Sequence, residues 1–413
     1  MNKDFFINNR KKVKDTLEDN SILVLFSGEA PQRSADQPYK YTINRHFYYL
    51  TGLERQKFIL MITKKNGKLD ENLFIEKPNP QLEKWIGRRM RKEEAKEISG
   101  IEKIQFIENF EAFFNGMLLR TSYDNVYLDL ERRGWSVPNT AAIDFANNVT
   151  NKYPYLKIIN AYNMISNFRM IKSKEEIEKM KEAVAITTKG VESLMENSKP
   201  GMMEYQLEAY FDFEIKTLGA KEHAFKTIAA AGKNATVLHY EENNCEMKDG
   251  DLILFDLGAE YENYCADISR TFPVNGKFTD KQKQFYNIVL KAMDETIKAI
   301  KPGVPFKELN NITKKVLADE CKKIGLIKED SEIAKYYYHG VSHFIGLDTH
   351  DVGDYDTELK PGMVLTVEPG LYVEEEEIGI RIEDDILVTE DGYENLSKGM
   401  IKTIEEIEKF MSK

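Results

Sequence analysis

Cysteine is scarce in this 413-residue chain, and the three present, Cys245, Cys265 and Cys321, are odd in number and scattered. That argues against a disulfide framework and points to reduced thiols. None of the three has the spacing of a thiolate ligand, so a cysteine-based metal site is excluded as well. Long apolar runs are missing too. No stretch of 18 apolar residues could span a bilayer, and the opening Met1-Asn-Lys-Asp-Phe-Phe-Ile-Asn-Asn-Arg-Lys-Lys has no apolar core of signal-peptide length. A soluble cytoplasmic protein with no membrane partner is expected. Positive charge is in deficit: 58 basic against 69 acidic residues leave a net charge of −11. Such a surface repels phosphate backbones, so no nucleic-acid partner is expected. The short cluster Arg88-Arg89-Met90-Arg91-Lys92 reads as a solvated helix face.

What is present suffices for a large folded protein. Hydrophobic residues make up 42% of the chain and aromatic residues 11%, and 413 residues exceed what one core supports, so two domains are expected. Up to about residue 165, six apolar segments read as strands: Ser21 to Phe26, Lys57 to Thr63, Glu71 to Ile75, Lys103 to Ile107, Asn125 to Leu130 and Leu156 to Ile159. Helical stretches alternate with them, which makes residues 1–165 an α/β domain with a largely buried sheet. This half has no glycine-rich phosphate loop, and its lone His46 reads as a surface or packing residue. Residues 166–413 form the second domain, whose long first helix opens with the capping-box pattern Ser173-Lys-Glu-Glu176.

The second domain carries an internal repeat. Lys199-Pro200-Gly201 and Lys301-Pro302-Gly303 each separate two helical runs. Lys248-Asp249-Gly250 then leads to Asp256 six residues after its glycine, as Lys360-Pro361-Gly362 leads to Glu368. Each acid lies on one arm of a predicted hairpin whose other arm carries a second acid. Asp256 and Asp267 flank the polar turn Glu260-Tyr-Glu-Asn, and Glu368 and Glu383 flank the acidic turn after Val373. Two related helix-helix-hairpin halves, packed face to face, would enclose four carboxylates. His343 joins them from His339-Gly-Val-Ser-His343-Phe-Ile-Gly-Leu-Asp-Thr-His350-Asp, which holds three of the six histidines. His339 and His343 are four apart, but Gly340 stands where a zincin helix needs glutamate, so that motif is rejected.

Four carboxylates packed together raise one another's pKa, and two divalent cations would cancel the charge. A carboxylate-rich set with one imidazole suits Mn²⁺, Co²⁺, Fe²⁺ or Zn²⁺. Cations about 3.5–4 Å apart bring the pKa of a shared water from about 15.7 towards neutrality, so a two-metal hydrolase is expected.

Taken together, Asp256, Asp267, the HGxSHxxGLxxHD segment, Thr366-Val-Glu-Pro-Gly and Gly379-Ile-Arg-Ile-Glu-Asp-Asp resemble the pita-bread metallopeptidases, and within them aminopeptidase P. The likeness covers about residues 165–413, a pita-bread α+β domain with pseudo-twofold repeat. The N-terminal half is similar to the creatinase, or ribonuclease-H-like, domain that precedes it in that family. The resemblance implies that Asp256 binds one cation, Asp267 and Glu383 bridge both, and His343 and Glu368 complete the second. It implies that His239, His339 and His350 line the substrate pocket, that Arg381 orients the bridging glutamate and that Tyr372 helps position the cluster. Glu368 would also shuttle the proton from the attacking hydroxide to the proline nitrogen. Mn²⁺ as the cation, peptides with proline in second place as substrates, and a homodimer or homotetramer are implied with it. The nearest rival is Xaa-Pro dipeptidase, or prolidase, which shares the ligands, though the wording around His343 and Gly370-Leu-Tyr favours aminopeptidase P. Methionine aminopeptidase usually lacks the preceding α/β domain, creatinase lacks the ligands, and non-catalytic pita-bread binding proteins lack several of them.

Overall fold

The computed structural model describes residues 1–412, which form two compact units, one ending at Arg169 and the other beginning at Met170. The expected boundary at 165/166 falls inside the helix Tyr162–Met170, and the units part near its C-terminal end.

All six predicted strands of the first unit are present in one mixed sheet. Its order is Lys103–Phe106, Lys68–Ile75, Ile59–Lys65, Ser21–Phe26, Asn125–Leu128, Lys157–Asn160. Ser21–Phe26 pairs antiparallel with Ile59–Lys65 and parallel with Asn125–Leu128. Ile22 to Leu25 are all buried, which explains why the strand reads as an unbroken apolar run rather than an alternation. Phe74, Phe110, Phe114 and Phe145 pack one edge-on or tilted against the next beneath the sheet. His46 is buried, with Nδ1 3.3 Å from Asp129 Oδ2, and serves packing.

In the second unit, the expected capping box starts the helix Lys174–Asn197: Ser173 N donates to Glu176 Oε2 at 2.8 Å, and Glu176 N to Ser173 Oγ at 3.3 Å. The repeat holds in detail. Helices Lys174–Asn197 and Glu204–Thr217 form one pair, and Asp280–Lys298 and Phe306–Lys323 the other. The glycines of the four repeated triplets, Gly201, Gly303, Gly250 and Gly362, have φ of 87°, 84°, 87° and 87°, a left-handed conformation natural only to glycine. Gly201 N donates to Met247 O at 2.8 Å as Gly303 N does to Leu359 O at 2.9 Å, and Met247 N to Met202 O as Leu359 N to Val304 O, both at 2.8 Å. Equivalent turns are therefore stitched to equivalent hairpin entries. No helix among the described residues is long and apolar enough to cross a membrane.

Both hairpins bend at their acids. In the first, Leu252–Leu257 pairs with Ile268–Pro273, while the tip pairs separately through Ala259–Tyr261 and Tyr264–Cys265. The turn is tighter than the four-residue turn expected, with Glu262 and Asn263 alone at its apex, both at positive φ. In the second, Val364–Val367 pairs with Asp384–Val388, and Gly370–Val373 with Ile378–Arg381. Asp267, Glu368 and Glu383 lie in the breaks between base and tip. Gly258 makes the first bend possible, because a Cβ there would stand 1.8 Å from Ala266 O. Gly258→Ala should therefore lower stability by about 3 kcal/mol, the upper end for overpacking, while Gly392→Ala, with open space around it, should stay within about 0.5 kcal/mol. Urea midpoints read both; equal midpoints would mean that the arms do not approach as described.

Candidate metal centre

Strand periodicity aims Asp256 into the site. Ile253, Phe255 and Leu257 enter the main core, so Leu254 and Asp256 face the other side, where Leu254 packs with Tyr372. The two hairpins are joined beside it: Glu383 N donates to Ser269 O at 3.1 Å, Thr271 Oγ1 to Arg381 O at 3.0 Å, and Asp267 N to Asp385 Oδ2 at 3.2 Å. Ligand atoms of Asp267, His343 and Glu383 fall within 4.8 Å of one another. His343 Nε2 lies 3.3 Å from Asp267 Oδ2 and 3.8 Å from Glu368 Oε1. Its Nδ1 is 3.1 Å from Phe344 O, and a carbonyl only accepts, so Nδ1 carries the proton and the Nε2 lone pair faces the carboxylates. His343 sits in irregular chain rather than a helix, in keeping with the rejected zincin motif, and is pinned by Thr366: Thr366 N donates to His343 O, and His343 N to Thr366 Oγ1.

One guanidinium organises the rest. Arg381, 3% exposed, donates from Nη2 to Asp256 Oδ2 at 2.6 Å, from Nε to Ser269 Oγ at 2.8 Å and from Nη1 to Tyr372 Oη at 3.0 Å. Ser269 Oγ in turn donates to Glu383 Oε2 at 2.8 Å. Tyr372 Oη is 2.9 Å from His339 Nε2, and His339 Nδ1 is 2.7 Å from Gly340 O. The carbonyl again fixes the tautomer: Nδ1 carries hydrogen, so Tyr372 donates to Nε2 while accepting from Arg381. Burial, reinforced by Arg381, holds His339 down to about 4, neutral at physiological pH. The acids move the other way. Burial and the neighbouring carboxylates push Asp267 and Glu383 well above their ordinary range, and burial pushes Glu368 up to about 7 and Asp385 up to about 8.

Of the other predicted residues, His350 packs its ring edge-on to His343 at 4.3 Å. His239 is exposed on the loop after the turn Gly232–Thr236, within electrostatic reach of His339. Tyr372 is 2% exposed, its hydroxyl already committed between Arg381 and His339.

A family model for metallopeptidase family M24 matches residues 178–390, the part of the chain that builds this cluster, and a model of the aminopeptidase P N-terminal domain matches residues 6–127. The Xaa-Pro aminopeptidase of Escherichia coli is 35% identical, over 98% of this chain and 97% of that one. The chain belongs to metallopeptidase family M24. A Bacillus anthracis chain assigned as aminopeptidase P has the same fold, with TM-score 0.99 and 53% identity over 100% of this chain and 99% of that one. E. coli aminopeptidase P with the inhibitor Pro-Leu gives TM-score 0.93 and 34% identity over 100% and 98%. As an M24 metallopeptidase the chain is a metal-dependent hydrolase of two domains, an aminopeptidase P N-terminal domain and the pita-bread domain.

The side chains fit a divalent cation. Asp256 Oδ1 is buried and makes no hydrogen bond, the imidazole of His343 offers a lone pair, and the acids crowd beyond what Arg381 can neutralise. Several contributors to this M24 site escaped the sequence reading. Ser269 and Arg270 follow Asp267 closely in Asp267-Ile-Ser-Arg, and Arg270 is fully buried, donating to Asp384 Oδ1 at 2.6 Å and Glu383 O at 2.5 Å. Asp384 also accepts from Lys402 and Asn395. Lys172 and Asp351, each 1% exposed, pair at 3.0 Å beneath the His350 loop. The run Glu383-Asp384-Asp385 between apolar residues was the one available signal, because three acids cannot all be solvated on a buried strand.

The raised acids set a pH dependence. Glu368 titrates near 7 in the fold against an ordinary 4.5, so the unfolded chain sheds its proton first. The stability this contributes is complete below about 4.5 and lost as pH rises through 7. Divalent cations substitute for those protons. Addition of Mn²⁺ to metal-stripped protein should therefore raise Tm more at pH 8 than at pH 6, and release more protons at pH 6, read by calorimetry in buffers of differing ionisation enthalpy; pH-independent gains would contradict this account of the site.

Proposed function

We propose that the chain is an Xaa-Pro aminopeptidase, releasing the first residue of peptides with proline in second place. The observation that carries this reading is the convergence of Asp267, His343 and Glu383, with Asp256 and Glu368 beside them, in a chain similar end to end to Xaa-Pro aminopeptidases. We assign these five residues as holders of two divalent cations, with Mn²⁺ our choice among Mn²⁺, Co²⁺, Fe²⁺ and Zn²⁺. Cations bound there would supply water of lowered pKa and polarise the scissile carbonyl.

Side chains of this protein supply the remainder. The nitrogen of an Xaa-Pro bond is tertiary and carries no hydrogen, so its departure requires a proton delivered to it. We assign that transfer to Glu368, whose burial raises its affinity for a proton taken from the attacking water. Arg381 holds Asp256 directly and Glu383 through Ser269, fixing where the carboxylates present their oxygens. His339 keeps Tyr372 oriented with both its own nitrogens engaged, and we assign the contacts to peptide to His239 and His350, whose imidazoles are exposed. A homo-oligomer in the cytoplasm, where three free thiols stay reduced, completes the proposal.

Metal-stripped protein reconstituted with Mn²⁺ should bind two ions per chain and cleave an Xaa-Pro-Xaa peptide after its first residue. Asp267→Ala should abolish cleavage, and Glu368→Gln should lower kcat by at least about 10²-fold. Cleavage of Gly-Pro alone would identify a dipeptidase, and no cleavage of either with any of the four metals would defeat the peptidase reading.

A further inference from the structure

The loop from Ala231 to Cys245, which carries His239, is tied at both ends to one carboxylate outside the ligand cluster. Glu204 opens the helix Glu204–Thr217 and is fully buried. Its Oε1 accepts from Ala231 N at 2.7 Å and from Asn234 Nδ2 at 3.0 Å, before His239; its Oε2 accepts from Tyr240 Oη and Cys245 N, both at 2.9 Å, after it. Two donors per oxygen satisfy a carboxylate completely and no neutral side chain of that shape. The backbone adds Glu204 N to Cys245 O and Tyr205 N to Asn243 O, both at 2.9 Å, so the helix start and the loop move together. His239 is exposed, and what fixes it is the anchoring of its neighbours, Tyr240 above all.

We infer that Glu204 is a positioning residue for the reaction: its buried carboxylate clamps the 231–245 loop and so sets where His239 meets the peptide. This rests on the role given to His239 above. In Glu204→Gln, one oxygen becomes an amide NH₂, and whichever way the amide turns, a backbone N–H, of Ala231 or of Cys245, faces another N–H. Volume is unchanged; the clamp opens on one side.

The test is a double-mutant cycle on Mn²⁺-loaded full-length protein with an Xaa-Pro-Xaa peptide. Glu204→Gln should lower kcat/KM by about 10- to 100-fold, the cost of a misplacement of order 1 Å, with bound Mn²⁺ equal to wild type. His239→Ala should lower it too, and the double variant should be no worse than His239→Ala alone, because Glu204 acts through the imidazole. Tyr240→Phe, which removes one of the four bonds, should show a smaller loss that likewise vanishes without His239, and it carries the test should Glu204→Gln fail to fold. Multiplicative losses in the double variant, or wild-type kcat/KM in Glu204→Gln, overturn the inference alone. Wild-type kcat/KM in His239→Ala overturns the role of His239 and this inference with it.

Discussion

Five carboxylates, Asp256, Asp267, Glu368, Glu383 and Asp385, share one site with a single guanidinium, that of Arg381, and the rest of the second unit is arranged around that imbalance. Water cannot screen the charges, because Asp267, Glu383 and Asp385 are 4%, 2% and 0% exposed. In that setting a carboxylate keeps a proton or acquires a cation, and the raised titration of four of the five expresses the choice. A fold that concentrates acids this way is less stable without its counterions than a neutral core would be. Its stability and its chemistry are therefore coupled through the same ions.

Backbone geometry holds the acids together against their repulsion. Each hairpin is broken between base and tip, which form separate short sheets with Asp267, Glu368 and Glu383 in the breaks, and the two hairpins exchange hydrogen bonds through Ser269, Thr271, Arg381 and Glu383. Arg270 locks the joint from behind, donating at once to the Asp384 carboxylate and the Glu383 carbonyl. Arg270 and Lys402 together neutralise Asp384, so that the acids left uncompensated are those in the site. Helix pairs built on the repeated Pro-Gly turns supply the apolar bed beneath, with Phe255 and Phe272 stacked 5.9 Å apart under Asp256 and its neighbour strand.

Around this rigid centre the imidazoles differ in duty. His343 is oriented by the carbonyl of Phe344, His339 is closed into a relay with Tyr372 and Arg381, and His239 and His350 stand exposed on loops. The loops are themselves tied to buried charges, the His350 segment through Lys172 and Asp351 and the His239 segment through Glu204. The loops that carry these two exposed imidazoles are thus held in place by buried acids.

Much of this was legible in the residues. The six strands of the first unit announced themselves as short apolar runs, buried on both faces at the centre of the sheet in Ser21–Phe26 and Asn125–Leu128 and only half-buried at its edges in Lys103–Phe106 and Lys157–Asn160, and the repeat because four glycines demand the same left-handed turn. That the acids of the two hairpins would come together could be read from spacing, since a hairpin fixes which positions share a face, and Asp267, His343 and Glu383 do converge. Ser269, Arg270 and Asp385, and the pairing of Lys172 with Asp351, could not be read so, because their roles depend on contacts across more than 100 residues that no local period encodes. Which ring nitrogen of His339 and of His343 carries a hydrogen was likewise decided by carbonyls that only the folded backbone brings near. By itself the sequence determined which atoms could bind a cation. Tertiary structure alone decided which carboxylates are neutralised from within and which remain to bind one, because burial and long-range pairing set the energy of each charge.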